Sequence, residues 1–327
     1  AFGRQSLADP AMPKKALEER LEDMTPCIAC LQGCVANMYA GNPVCCLTNP
    51  FLGHEAEPLE KAEEPKKVMV IGGGVAGLSA AFIAKERGHE VTLYEAGDVL
   101  GGNMRLAAYP PGKGDITNMI RSYIHRCQKD GVKIVMNCEV TPELIKEEKP
   151  DSVIIATGSK TLILPIEGID NPAIIHGSDL LDGKRAAGKK VLVVGGGMVG
   201  CETAAFLGEQ EHDVTVIEFR DTVGADVIHE HRVYLMKDFE DYGIKEITGA
   251  KVCKFYEDGV EYETADGVRH ESRGYDSVIL SMGFRNYNPL EEKIKDLVPE
   301  THVIGDAIRA RRALDATKEA YEVASRI

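Results

Sequence analysis

One pattern occurs twice in this chain, and it limits the possible folds more than any other feature. A short apolar run, Val68-Met69-Val70-Ile71, leads directly into Gly72-Gly73-Gly74-Val75-Ala76-Gly77. A helical stretch, residues 78–87, stops at Gly88, and a second apolar run, Val91-Thr92-Leu93-Tyr94, ends at Glu95. The same order returns with Val191-Leu192-Val193-Val194, Gly195-Gly196-Gly197-Met198-Val199-Gly200, a helix over residues 201–208, and Val214-Thr215-Val216-Ile217 ending at Glu218. The first Gly and the closing Glu are 23 residues apart in both copies. Unbroken apolar runs of this length fit strands buried on both faces of a parallel sheet. The repeat is one supersecondary unit duplicated, not a solenoid.

A G-x-G-x-x-G stretch alone says little. Between a strand and a helix, with an acid closing the next strand, it is the dinucleotide-binding pattern. Gly72 and Gly195 permit the tight turn. Gly74 and Gly197 let backbone N–H groups approach a pyrophosphate, and Gly77 and Gly200 let the helix pack close to the strand. The positive end of each helix then faces the diphosphate, and Glu95 and Glu218 accept hydrogen bonds from an adenosine ribose. The expected fold is therefore α/β, with two Rossmann-like dinucleotide-binding domains. The runs Ser152-Val153-Ile154-Ile155 and Ser277-Val278-Ile279-Leu280 add further buried strands, and residues 313–326 form a closing helix.

The chain has 327 residues, enough for two or three domains. Its net charge of −14 would repel a polyanion, which argues against nucleic acid as a partner. No basic start, apolar middle and small-residue cleavage site opens the chain, so no secretory signal is expected. The apolar, uncharged stretch of residues 68–84 is short for a membrane span and is interrupted by the Gly72-Gly73-Gly74 triplet. Five of the nine cysteines lie between residues 27 and 46, which suits a reduced, cytoplasmic protein with one metal site. Cys27, Cys30 and Cys34 are followed by Cys46 in a C-x2-C-x3-C-x11-C spacing. Three close thiolates and a returning fourth suit a [4Fe–4S] cluster better than zinc, which favours two separated C-x2-C pairs. Cys45 competes with Cys46 for the fourth place.

Further short motifs carry a resemblance. Leu100-Gly101-Gly102, Ala156-Thr157-Gly158 and Gly305-Asp306-Ala307, added to the glycine turns, resemble the two-dinucleotide-domain flavoproteins of glutathione-reductase-like architecture. The resemblance implies FAD on Gly72, Gly74, Ala76, Gly77, Glu95, Gly102, Asn103, Ala156, Thr157, Gly158 and Gly305, with Asp306 reaching the ribityl chain or capping a helix. It implies a pyridine nucleotide on Gly195, Gly197, Gly200 and Glu218. The FAD domain would be split over residues 61–162 and 275–327, with the nucleotide domain inserted at 163–274.

Toward the N-terminus, Gly3-Arg4-Gln5-Ser6-Leu7-Ala8-Asp9-Pro10, Cys27-Ile28-Ala29-Cys30 and Asn49-Pro50 resemble the multidomain Old Yellow Enzyme relatives. That group includes 2,4-dienoyl-CoA reductase, 2-enoate reductase and trimethylamine dehydrogenase. It implies that residues 1–25 match the last strand and helix of an FMN-binding barrel, and that residues 26–60 hold the cluster and a connecting arm. It favours Cys46 as fourth ligand. Without a barrel, Arg4 is expected to be a solvated side chain, and FMN enters only if a barrel is supplied.

The implied activity is electron transfer from NAD(P)H through FAD to the cluster, then to the barrel flavin, which reduces activated C=C bonds. A hydride carries two electrons and a cluster takes one, so a flavin must stand between them. Glu218 favours NADH over NADPH, although Arg220 could offset a 2′-phosphate. The expected partners are a pyridine nucleotide and a flavin barrel or other acceptor, with self-association near residues 1–50. No catalytic residue is assigned. Two other functions fit parts of the pattern: a structural module holding ADP or FAD, and a pyridine nucleotide–disulfide oxidoreductase. The second needs paired cysteines facing the flavin, whereas Cys201 stands alone and Cys127 and Cys138 are 11 residues apart.

Overall fold

In the computed structural model, which describes residues 2–327, both apolar runs of each repeat become central strands. The chain divides into two units. The first comprises the chain up to Ala108, Asp115–Lys160 and Arg285–Ile327; the second comprises Tyr109–Gly114 and Thr161–Phe284.

The first unit has a five-stranded parallel sheet. Its order is Glu300–Val303, Ser152–Ile155, Lys67–Ile71, Glu90–Tyr94, Lys133–Val135. Val70 lies beside Leu93 on one side and Ile154 on the other. Helix Val75–Glu86 buries ten of its residues, including Leu78, Phe82 and Ile83, against this sheet and helix Ala313–Ala324. Each such side chain contributes about 1.5–3 kcal/mol by leaving water.

The second unit repeats the plan. Its order is Ile175–His176, Ser277–Leu280, Lys190–Val194, Asp213–Ile217, Lys245–Ile247, again all parallel. Val193 lies between Val216 and Ile279. Along the chain between Lys245–Ile247 and Ser277–Leu280 lies an antiparallel sheet of Lys251–Tyr256, Gly259–Glu263 and Arg269–Arg273. Val260 and Phe255 of that sheet are buried with Leu192 and Val278.

Three features differ from the sequence expectation. Both repeat helices start earlier than residues 78 and 201, at Val75 and Met198, because the second glycine of each turn is already the N-cap. The chain returns to the first unit at Arg285, not at residue 275, because Ser277–Leu280 pairs with Lys190–Val194 in the second sheet. Among the described residues the N-terminal segment carries no strand end; Gly3–Ala8 is helical, followed by helix Met12–Leu17. Asp9 stops the first helix and accepts from the N–H groups of Ala11 and Thr25 and from the Lys15 ammonium. The stretch 68–84 splits into a strand and a helix, and among the described residues no helix is long and apolar enough to cross a membrane.

Candidate functional site

The first glycine turn is built from close approaches that a side chain would prevent. Gly72 has φ +109°, and a Cβ there would stand 2.3 Å from the Ala156 carbonyl oxygen. A Cβ on Gly77 would stand 1.9 Å from the Gly72 oxygen, which is how the helix seats on the strand. Gly74 differs: a Cβ there would meet nothing within 4 Å. The open side of the turn therefore lies at the helix N-terminus, where backbone donors and the helix dipole favour an anion.

The other expected FAD-side residues gather around this opening. Glu95 accepts from the N–H groups of Gly73 and Gly97, both at 2.7 Å, so its carboxylate lies over the turn. Gly102, in the left-handed region at φ +54°, places its Cβ position 3.1 Å from the Gly74 Cα. Asn103 donates to the Ser159 carbonyl and hydroxyl at 3.3 Å, and the Ser159 hydroxyl donates to Asp306 at 2.9 Å. Gly305 packs its Cβ position 3.1 Å from the Ala76 side chain. Thr157 donates to the Tyr287 carbonyl, and Gly158 follows at φ +75° with open space around it. Asp306 does not cap the closing helix. Asp315 does so by accepting from the Arg312 N–H, while Asp306 accepts from the Arg311 N–H at 3.0 Å.

The second turn repeats the geometry. Gly195 has φ +106° with its Cβ position 2.4 Å from the Ser281 oxygen, and that of Gly200 is 1.8 Å from the Gly195 oxygen. Glu218 accepts from the N–H groups of Gly196 at 2.5 Å and Arg220 at 2.9 Å. The Arg220 residue is exposed. Sequence reasoning missed three participants. Ser281-Met282-Gly283 occupies the place that Ala156-Thr157-Gly158 holds in the first unit. Glu202, buried on the repeat helix, pairs with Lys113. Asp226 accepts from the Met198 N–H at 2.8 Å, and a Cβ on Gly197 would come 3.4 Å from its carboxylate. The unbroken offset between the repeats, extended past Glu218, would have found Asp226.

Cys27, Cys30, Cys34, Cys45 and Cys46 all line one cavity, together with Arg4, Leu7, Ile28 and Leu47. Burial pushes the Cys30 thiol up to about 12, and the thiols of Cys46, Cys34 and Cys27 add to the rise. Cys46 is raised chiefly by burial, with Cys27 contributing. Cys45 is turned toward Asn37, whose amide donates to its sulfur at 3.4 Å, and its N–H donates to the Gly33 carbonyl. Ala29 and Leu31, on either side of Cys30, both have positive φ, +51° and +55°, a conformation that costs L-residues energy and is kept where surroundings impose it. Among the described residues, no three His, Cys, Asp or Glu side chains are gathered closely enough to hold a metal ion. Arg4 is exposed, yet it also borders the thiol cavity.

Helix Gly3–Ala8 fixes both ends of this segment. Gln5 accepts from the Cys27 N–H at 2.8 Å and donates to the Thr25 carbonyl, while Asn49 donates to the Leu7 carbonyl at 2.9 Å. From the other side, buried Tyr123 donates to the Leu47 carbonyl.

With this geometry in place, comparison with known proteins decides the family. Residues 66–302 match the family described as pyridine nucleotide-disulphide oxidoreductase. The chain belongs to that family. As a pyridine nucleotide-disulphide oxidoreductase by fold, it is a flavin oxidoreductase module that uses FAD and a pyridine nucleotide. Cinnamate reductase of Clostridium sporogenes is 34% identical over 100% of this chain and 49% of its own length. NADH oxidase of Thermoanaerobacter brockii is 35% identical over 100% of this chain and 51% of its own. A solved 2-naphthoyl-CoA reductase complex aligns with a TM-score of 0.94 at 34% identity, covering 99% of this chain and 50% of that one. The chain thus spans about half the length of these relatives and corresponds to the FAD- and NAD(P)-binding part of multidomain 2-enoate and dienoyl-CoA reductase-like proteins.

The disulfide chemistry in the family description finds little support in this member. Cys127 donates to the Leu78 carbonyl and Cys201 to the Gly196 carbonyl, and burial pushes both thiols up to about 12. Buried, protonated thiols of this kind are inert toward exchange.

Proposed function

We propose that these 327 residues form an electron-transfer module that oxidises a pyridine nucleotide on behalf of a flavin barrel beyond them, which reduces activated C=C bonds. FAD is assigned to the first glycine turn and its rim, the pyridine nucleotide to the second, and a [4Fe–4S] centre to Cys27, Cys30, Cys34 and Cys46. The observation that carries the reading is the thiol-lined cavity, built into the same unit as the open first turn. When bound, a flavin takes the two electrons of a hydride and releases them singly, which is the exchange a one-electron centre requires.

The first glycine turn and the shared thiol cavity support these assignments. Gly74 leaves a cradle that a Cβ would fill, and Glu95 holds its carboxylate over the turn. Buried Ile28 and Leu47 give the thiol cavity apolar walls, which restrict water at the centre. Cys45, tied to Asn37 and Gly33, is assigned as a supporting thiol, not a ligand. Glu218 supports NADH over NADPH, because a carboxylate there repels a 2′-phosphate. Exposed Phe2, Leu17, Leu21, Met38 and Tyr39 leave apolar surface on the first fifty residues, which supports docking of the barrel there.

The test is the visible spectrum of anaerobically purified protein, with iron and sulfide assays. Bound flavin with about four irons per chain is expected. Cys46→Ser should lose the iron and Cys45→Ser should keep it. Stoichiometric zinc without iron would remove the electron-transfer role.

A further inference from the structure

The two dinucleotide units share one backbone plan around the glycine turn, and one of the positions where they differ in charge stands at the helix N-terminus. The offset that carries Gly72 to Gly195 and Glu95 to Glu218 also carries Leu100-Gly101 to Val223-Gly224 and Asn103 to Asp226. The structure keeps this correspondence. The Gly101 N–H donates to the Gly73 carbonyl at 2.8 Å, and the Gly224 N–H to the Gly196 carbonyl at 2.7 Å. Leu100 and Val223 close on the middle glycine of their turns in the same way.

Beyond that point the neutral and charged counterparts face different ways. Asn103 turns to Ser159, and the space at Gly74 stays open. Asp226 turns to its helix. One carboxylate oxygen accepts from the Met198 N–H at 2.8 Å, and the other lies 3.4 Å from the Cβ position of Gly197. A carboxylate of the chain thus stands at the positive end of the twelve-residue helix Met198–Glu209, where the first unit leaves room. Two anions cannot share one first-turn donor, and like charges at that range repel.

We propose that Asp226 is a built-in competitor for the pyrophosphate of the pyridine nucleotide. This rests on the reading that the second turn binds that nucleotide. Asp226 holds the helix N-terminus when the site is empty and withdraws when nucleotide arrives. Its loop is exposed at Ala225 and Asp226, so withdrawal uncovers little apolar surface. The contrast with Asn103 then has a functional meaning. A hydride donor must leave after each turnover, whereas a flavin must stay. The neutral, open cradle suits a resident dinucleotide, and the self-occupied one suits an exchanging dinucleotide.

Asp226→Asn keeps an oxygen for the Met198 N–H and removes the charge; Asp226→Ser does so with a different side chain. The FAD-loaded full chain is titrated with NAD+ by calorimetry, and release is followed by stopped flow. Both variants should bind NAD+ about tenfold more tightly, with slower release and unchanged FAD content. Intact wild-type binding with unchanged or weaker binding by both variants overturns the competitor role and leaves the nucleotide assignment standing. No binding of NAD+ or NADH by wild type or either variant overturns the nucleotide assignment, and the proposal with it.

Discussion

The phenol of Tyr123 donates to the Leu47 carbonyl at 3.0 Å in the interior of the first unit. Leu47 is fully buried and follows Cys46 directly, so this bond anchors the return of the cysteine loop to helix Asp115–Lys129. Tyr123→Phe would leave a buried carbonyl without its donor, at a cost of about 1–3 kcal/mol. A lower Tm and faster iron loss to a chelator are expected. Unchanged iron retention would detach Tyr123 from any role at the cysteine loop.

The third glycines offer a way to disable the two units separately. Methyls at Gly77 and Gly200 would lie 1.9 and 1.8 Å from the carbonyl oxygens of Gly72 and Gly195. Each alanine must push its helix off the strand, which costs about 1–3 kcal/mol. Gly77→Ala should lower FAD content, and Gly200→Ala should weaken NADH binding while FAD remains. Loss of FAD in the Gly200→Ala protein would contradict the assignment of cofactors to units.

Nucleotide choice follows from Glu218. A carboxylate about 5 Å from a 2′-phosphate, at an effective dielectric of about 20, repels it by about 3 kcal/mol per charge before screening. With ferricyanide as acceptor, kcat/KM should be higher for NADH than for NADPH, and Glu218→Ala should narrow the gap. A preference for NADPH in the wild type would mean that Arg220 governs the pocket.

Acid should loosen the N-terminal segment through Asp23. Hydrogen bonds from Lys129, then His125 and Arg20, hold the Asp23 carboxyl well below its usual range. A depressed carboxyl contributes stability that is complete above its unfolded pKa of about 3.9 and is lost as pH falls toward the lower folded value. Between pH 6 and pH 3 the wild type should therefore lose more Tm than Asp23→Asn. Equal losses would show that this cluster does not tie the segment down.

The chain by itself should oxidise NADH with ferricyanide and leave an enoate untouched. Outer-sphere transfer asks only for an accessible reduced centre, whereas C=C reduction needs a hydride donor and an acid placed across the alkene in an enclosed chamber. Stoichiometric enoate reduction under anaerobic conditions, without added FMN protein, would relocate the active site into this chain.

The turns were legible in the sequence because their demands are local. Gly72, Gly77, Gly195 and Gly200 answer to atoms within the same strand–turn–helix or to the adjoining strand end, and only glycine meets those distances. The clamp on the cysteine segment was not legible. Gln5 reaches Cys27 and Asn49 reaches Leu7 across 22 and 42 residues, and no periodicity records such a pairing. The strand Ser277–Leu280 was visible as a strand, but not as part of the second sheet, because a fully apolar run carries no mark of its neighbours. Asp226 was hidden for another reason. Its meaning comes from comparison with Asn103, and neither residue alone departs from what a loop ordinarily contains.

The two sheets share one strand plan, yet the outer strand, beside Ser152–Ile155 in the first unit and Ser277–Leu280 in the second, comes from opposite directions along the chain. In the second unit it is Ile175–His176, made before the rest; in the first it is Glu300–Val303, made last. During synthesis the second sheet has all its strands once Leu280 has emerged. The first still lacks one, and Ser152–Ile155 keeps an unpaired edge until Val303 follows. A ribosome stalled between those points would hold a finished inner domain and an outer one with an open edge, the state most exposed to strand exchange with a neighbouring nascent chain.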